Sequence, residues 1–393
     1  MLGGIFLAAW SVAGLVWWMT AWRLVSTQPR KSEEMPDTSE PRLTLSVFKP
    51  LPPLGARGLR MFGPALESFV AQLDSDSELL VGIHEDDRDT TAPFVESLRA
   101  KYPGAQLKII FRSAPDDLAN PKIAWQKILA RDAEGELWLW SDADIVAPSG
   151  FLQGARLEFA RTDAAMMTFP YQIGHFSARP GLLEALFVNA EFYPGVLLLR
   201  ERGAVDFGLG AAMLFRRDDF YQAVDWSDLG DRLADDFSLG QALQPVRIGS
   251  ATLATTVAST TWKEALLHDL RWSKTIRWNR PVGFFSRIAI LPVMGWLGAV
   301  ALHPTYFFNW VGLVGMVQAE VLFAAAICRR MGCRLDWKDT LGLELWSPWR
   351  VILWFLSWLP VPVLWSGRRW TGPAVKFNDE IKLERARRMP VTR

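Results

Sequence analysis

The chain has 393 residues, half of them hydrophobic and 22% charged, with a formal net charge of +1. That length suits one ordinary to large domain plus membrane segments, and the balanced charge gives no global pull toward nucleic acid. Two cysteines, Cys328 and Cys333, cannot build a disulfide framework, and no Cys/His cluster points to zinc; the 20 tryptophans instead suit a membrane interface, where the ring is apolar and its N–H stays wet.

Residues 1–25 are apolar apart from Arg23 and scattered Ser and Thr, and are long enough to span a bilayer. They lack the charged start and small-residue cleavage site of a signal peptide, so they predict an uncleaved transmembrane helix. Arg23, Arg30, Lys31 and Arg42 follow it, which directs the chain into the cytosol by the positive-inside rule. Residues 26–42, polar and Pro-containing, read as a linker.

From 43 onward, strand and helix patterns alternate. Residues 43–48, 79–84, 107–111 and 136–141 read as short buried strands, and 63–73, 92–102 and 122–132 carry helical spacing. This predicts a mostly parallel α/β sheet whose ligand lies at the carboxyl ends of the strands. The acidic runs HEDDRD (84–89) and SDAD (141–144) fall there. Residues 171–262 show no clear pattern. Residues 262–280 predict an amphipathic helix, with Trp262, Leu266, Leu270 and Ser273 on one stripe and His268, Arg271, Trp272 and Thr275 on another. Apolar runs follow at 281–303 and 305–328, joined by His303-Pro304. They carry few charges, as anchors would. The run 351–366 is shorter and holds Pro360 and Pro362, and the tail 367–393 carries eight Lys/Arg against three Asp/Glu. A re-entrant or interfacial segment there keeps the basic tail cytosolic.

Three stretches could carry chemistry, and each has a plainer rival. Asp142 and Asp144 after a strand can hold a divalent cation on a diphosphate, but the same spacing recurs at 74–76 and 87–89 and also suits a solvated turn. Asp235 and Asp236 open a predicted helix, where they can favour the helix dipole or serve as a general base. His268, Arg271 and Trp272 can grip a diphosphate and stack on a sugar, or grip lipid headgroups. Lys49-Pro50 ends the first strand, Asn120-Pro121-Lys122 opens a helix, and the glycines of 208–210 allow close backbone approach.

Taken in order, Lys49-Pro50-Leu51, HEDD (84–87), NPK (120–122), DAD (142–144), G-x-G-x-x-M-x-F-R-R (208–217), Asp235-Asp236 and Arg271-Trp272 resemble the ceramide glucosyltransferases. They are also similar to the hopanoid-biosynthesis-associated glycosyltransferases of the same family 2/family 21 group. The resemblance runs from about 43 to 280. It implies an α/β fold of the GT-A, Rossmann-like type, with one N-terminal and two to three C-terminal membrane segments. The catalytic domain would occupy 43–261, the interfacial helix 262–280 and the C-terminal membrane segments 281–366.

The resemblance also assigns roles. Glu85, with Asp87 as its rival, would meet the nucleotide base or ribose; the family more often has Asp at the first of these. Lys49 and Lys122 join the nucleotide-binding set. Asp142 and Asp144 match the nucleotide-diphosphate and metal site, with Mn2+ or Mg2+ as cofactor. Asp236 matches the catalytic base beside Asp235, and 268–272 the Q/R-x-x-R-W motif, with His268 departing from it. The expected reaction is inverting transfer of a sugar, glucose first, from a UDP-sugar to a membrane lipid such as ceramide. N-acetylglucosamine transfer to a hopanoid, a processive polysaccharide synthase and a non-catalytic scaffold or transporter are the rivals. The expected location is an integral membrane protein with a cytosolic catalytic domain; the lack of a recognisable retention signal favours a bacterial inner membrane. The sequence carries no signal of oligomeric state.

Overall fold

The structure, a computed structural model, describes residues 2–28, 43–54, 59–113, 118–176, 178–203, 205–257, 259, 261–333, 335, 339 and 343–374. Most of the expected linker and of the basic tail lies outside the described residues. The chain opens with α1 (Leu2–Ser26), then builds β1 (Leu45–Pro50), α2 (Leu59–Val70), β2 (Ser77–His84), α3 (Arg88–Lys101), β3 (Gln106–Arg112), α4 (Pro121–Leu129), β4 (Leu137–Ser141) and α5 (Phe151–Ala160). The second half adds β5 (Met166–Thr168), β6 (Tyr171–Phe176), α6 (Arg179–Leu186), α7 (Tyr193–Arg202), β7 (Ala212–Arg216), α8 (Arg217–Ala223), α9 (Trp226–Gly230), α10 (Asp235–Ala242), β8 (Val246–Ile248) and β9 (Leu253–Val257).

The main sheet has the order β3-β2-β1-β4-β7-β5-β8. Only β7 runs against the rest, pairing antiparallel with β4 and β5. This is the mostly parallel α/β sheet expected. Alternation along the strands builds a core on each face. Leu137 and Leu139 of β4 join Val47 and Leu79 in one cluster, while Trp138 and Trp140 join Phe48 and Leu80 in the other. All are nearly or fully buried, so the sheet is covered on both sides.

The membrane-side half departs from the expectation. After α11 (Trp262–Asn279), the run 281–303 is not one continuous helix. It breaks into α12 (Pro281–Ser286), a 3-10 turn (Arg287–Ile290) and α13 (Pro292–Leu302), and the pair is bent by 67°. Pro292 cannot donate into the preceding turn, which explains the break. α14 (Phe307–Arg330) is a continuous helix long enough to cross. The helix Trp346–Trp358, 13 residues long, stops before Pro360; at about 20 Å it falls short of a bilayer core. A hairpin (Val363–Trp365, Arg368–Trp370) then turns through Ser366 (φ 48°) and Gly367 (φ 74°), the left-handed pair that a two-residue hairpin turn needs. It packs back on the catalytic domain: Arg368 donates to the Leu118 carbonyl (2.7 Å) and buried Trp370 joins Ala119 and Leu233.

A third apolar stretch, Arg179–Arg202, is also long enough to cross, with two thirds of it buried inside the protein. It escaped the sequence reading because Pro180, Glu184, Asn189, Glu191 and Pro194 interrupt its apolar pattern. A π-turn (Phe187–Phe192) just before Pro194 absorbs the proline without ending the helix. The apolar runs 281–303, 305–328 and 351–366 hold few charges, as expected, and the two they hold, Arg287 and Glu320, join a buried ion cluster with residues outside them. Arg350 is buried between Glu191 (2.8 Å) and Glu320 (3.0 Å), and Arg287 joins Glu191. One arginine from each of two short segments therefore meets acids on two long helices.

Candidate active site

Strand order reverses between β1 and β4, the crevice where α/β sheets take ligands. Lys49, near the end of β1, is wholly buried. Its Nζ donates to the carbonyls of Asp142 (2.6 Å) and Ile145 (2.9 Å) and lies 4.2 Å over the Phe69 ring. It clamps the turn carrying Asp142-Ala143-Asp144 from behind. Burial pulls its ammonium down to about 7, against the opposing pull of Asp144 and Asp142. The same turn is tied to β9 through Val146 and Ala254, which sets Thr255 Oγ1 to donate to Asp144 Oδ2 (2.8 Å).

Lys122 joins two distant acids. Its Nζ is 2.7 Å from Asp142 Oδ1 and 3.1 Å from Asp235 Oδ2. Burial would lower this ammonium, but Asp142 and Asp235 outweigh burial and hold it well above its ordinary value. Asn120 makes the meeting possible. Its side chain caps α4 by accepting from the Lys122 and Ile123 N–H groups, and donates to the Arg232 carbonyl (3.0 Å) just before α10. Asn120 was visible only as the first residue of NPK; its bridging role needs the fold.

Asp236 opens α10 beside the glycine loop. Its Oδ2 accepts from the Gly210 N–H (3.1 Å), while the Gly210 carbonyl accepts from the Asp142 N–H (3.2 Å). A Cβ on Gly210 would stand 3.0 Å from Asp142 Oδ2 and 3.4 Å from Lys122 Nζ. At Gly210 the backbone comes close to the carboxylates of Asp142 and Asp236. Burial, then the neighbouring Asp235, raises the Asp236 carboxyl to about 6. Burial likewise raises Asp142, with Asp144 adding to it and Lys122 opposing.

Glu85 and Asp87 stand apart, on the rim beyond β2. Glu85 pairs with Arg88 (2.6 Å), and Asp87 Oδ2 accepts from the Leu54 N–H (3.0 Å), holding the chain that leaves β1. Leu51 N–H bonds to the Gly82 carbonyl (2.8 Å), so this rim adjoins the end of β1.

α11 closes the other side. It starts with a capping box, Thr261 with Glu264. The half-buried Arg271 feels the charges of Glu184, Asp142 and Asp236, which oppose the lowering that its burial causes. Trp272 turns inward: its ring packs edge-on against Tyr171, Phe187 and Phe192 at 5.9–6.4 Å. That contact anchors the helix to the domain. His268 Nδ1 lies 3.2 Å from Glu184 and 3.9 Å from Asp269. Glu184 went unseen because it lies in the stretch without a clear pattern. Among the described residues, Glu184, His268 and Asp269 form a cluster whose ligand atoms lie within 4.8 Å of one another.

The strand-end acids fit a divalent cation. Asp142 is 40% exposed at the mouth, it is raised partly by the charge of Asp144, and both offer the oxygen ligands that Mg2+ and Mn2+ prefer.

Two solved structures are similar in part. A mannosyltransferase from Pyrobaculum calidifontis, in complex with GDP-Man and Mn2+, is 15% identical over 91% of this chain and 97% of its own, with a TM-score of 0.49. S. aureus TarS with UDP-GlcNAc is 12% identical over 86% and 97%, with a TM-score of 0.38. No curated protein matches significantly. The sequence profile of glycosyl transferase family 21 matches residues 5–371, nearly the whole chain including its apolar helices and every carboxylate described above. The chain belongs to glycosyl transferase family 21, whose members transfer a sugar from a nucleotide-sugar.

Proposed function

We propose that this chain is an inverting, membrane-bound glycosyltransferase that moves glucose from UDP-glucose to the hydroxyl of a membrane lipid such as ceramide, at the cytosolic face. N-acetylglucosamine transfer to a hopanoid lipid is the next candidate. The observation that carries the reading is the Lys122 bridge from Asp142 to Asp235, which gathers the strand-end acids and Asp236 beside α11, where the chain turns toward its apolar helices.

In this mechanism Asp236 takes the proton of the attacking lipid hydroxyl. That oxygen bonds to the anomeric carbon on the face opposite the diphosphate. The bond from the anomeric carbon to the diphosphate oxygen breaks, and its electron pair leaves on the nucleoside diphosphate. The transition state has oxocarbenium character. A carboxyl raised to about 6 suits a base working near neutrality. Arg271 offers charge to the leaving diphosphate, and Lys122 pairs with both Asp142 and Asp235. Asp142 and Asp144 would hold a divalent cation, Mn2+ or Mg2+, which when bound supplies further positive charge against the diphosphate. Glu85 and Asp87, at the rim, suit the nucleoside end.

The test is transfer of labelled glucose from UDP-glucose to ceramide in mixed micelles, by wild type and Asp236→Asn, with manganese or magnesium present. Label entering the organic phase with wild type alone supports donor, acceptor and base together. No transfer across a panel of UDP-sugars and of ceramide, hopanoid, sterol and diacylglycerol acceptors overturns the lipid reading.

A further inference from the structure

Tyr171 is the first residue of β6, where the chain leaves the main sheet for the small β6–β9 pair. Backbone bonds fix this crossing. The Phe169 N–H donates to the Ala212 carbonyl (3.1 Å), and the Leu253 N–H to the Pro170 carbonyl (2.9 Å). Tyr171 therefore lies beside the start of β7, which follows Gly210, and pairs with β9, whose Thr255 holds Asp144. Successive side chains of a strand point to opposite faces, and here Tyr171 and Ile173 are buried while Gln172 between them is half-buried. The Tyr171 ring packs on Phe192 (5.6 Å) and Trp272 (6.4 Å).

The ring is accounted for by this packing; the hydroxyl is not. Tyr171 is 8% exposed, and its phenol makes no hydrogen bond among the described residues. The hydroxyls of Tyr102 and Tyr193 do, with Glu67 and Thr252. A buried hydroxyl without a partner is destabilising, and native proteins keep few of them. Four carboxylates act on this phenol: Asp142, Glu184, Asp236 and Asp144. Burial, together with their charges, raises it well above its ordinary value, so it stays protonated and its O–H is free to donate.

Arg271 reaches the same place. Its guanidinium senses Glu184, Asp142, Tyr171 and Asp236, and makes no ion pair among the described residues. Lys122, by contrast, already pairs with Asp142 and Asp235. The strand-end acids therefore stand beside two donors without partners, one neutral and one cationic, and Asp142, 40% exposed, opens the place to solvent. A pocket lined by carboxylates repels an anion unless donors and a cation meet it. Tyrosine adds a donor without adding a charge, and its ring ties that donor to the aromatic cluster that also seats Trp272. Aimed N–H and O–H donors next to acids suited to a divalent cation match the needs of a diphosphate.

We propose that Tyr171 is a substrate-binding residue whose phenol O–H donates to a phosphate oxygen of the nucleoside diphosphate, next to Arg271. The bond strengthens as the sugar departs and negative charge collects on the diphosphate. This deepens the glycosyl-transfer reading above and rests on it for the identity of the ligand.

The test is Tyr171→Phe in the full chain in nanodiscs, which removes the hydroxyl and keeps the ring. Calorimetry with UDP and Mn2+ should show affinity weakened about tenfold or more, the loss of one hydrogen bond to a charged group. Uridine, which has no phosphate, should bind both proteins alike. Without nucleotide the variant should unfold at the same temperature as wild type or higher, because the lost hydroxyl has no partner within the protein. Unchanged UDP affinity, an equal loss for UDP and uridine, or a lower unfolding temperature overturns the assignment, even where sugar transfer to lipid is intact. The expected loss toward UDP with no transfer by wild type to any lipid acceptor keeps Tyr171 on the diphosphate and removes the lipid-transfer reading. A wild type that does not bind UDP overturns both.

Discussion

Lys122 Nζ stands 2.7 Å from Asp142 and 3.1 Å from Asp235, and so welds the end of β4 to the start of α10 across more than ninety residues of chain. Removing it leaves two neighbouring carboxylates without their cation. Lys122→Met should cost about 1–3 kcal/mol of stability, discounted because Asp142 is partly open to solvent. A double-mutant cycle with Asp235→Asn, read by thermal or denaturant unfolding, should show non-additivity of about 0.5–3 kcal/mol. Strict additivity would remove the bridge from the account.

Asp236→Asn should lower kcat by about a hundred- to ten-thousand-fold, the usual cost of a lost base. Nucleotide-sugar binding, read by calorimetry, should persist, because the Asn side chain can still accept from the Gly210 N–H. A variant with near-normal turnover would assign the base elsewhere.

The acid limb of kcat/KM should report Asp236, whose carboxyl is raised to about 6. A base must be ionised, so activity should fall as pH drops through that value. Asp235 contributes to the raising by its negative charge. Asp235→Asn should therefore move the acid limb to lower pH, even if the maximum rate falls. A limb that moves up, or stays, would contradict the coupling.

Lys49 carries a stability signature. Its folded value of about 7 lies below the ordinary lysine value of 10.5. Between those two values the unfolded chain binds more protons, so this residue's contribution to stability rises with pH across the window, by up to about 1.4 kcal/mol per unit. Unfolding measured from pH 7 to 10 should show wild type gaining on Lys49→Met. Parallel curves would mean that Lys49 keeps its ordinary proton affinity when buried.

The glycines of the loop should separate activity from folding. A Cβ on Gly210 would press on the Asp142 and Lys122 side chains at 3.0 and 3.4 Å. Gly210→Ala should therefore fold, with a modest loss of thermal stability and a larger loss of kcat. At Gly240 the added Cβ would fall 2.4 Å from the Phe207 backbone, which cannot swing aside. Gly240→Ala should unfold or fail to accumulate. Equal behaviour of the two, by circular dichroism and turnover, would refute the distinction.

The sequence by itself determined the short buried strands, the order of the acidic motifs, the amphipathic α11 and the apolar N-terminal helix, because each of these is written in local spacing or local composition. It also placed Asp142, Asp144 and Asp236 at the ends of elements, where carboxylates can meet a ligand. Only the tertiary structure decided that Lys49 holds the acidic turn from behind, that Asn120 ties α4 to α10, and that Trp272 faces an aromatic core. The same holds for Glu184 beside His268 and for Arg350 between Glu191 and Glu320. These are contacts between residues tens to hundreds of positions apart, and no local pattern encodes which distant partner a buried charge will find. The broken 281–303 run shows the same limit. Its composition satisfies the length of a span, but the proline and the pull of Arg350 on the Ile290 carbonyl act through geometry, which composition does not contain.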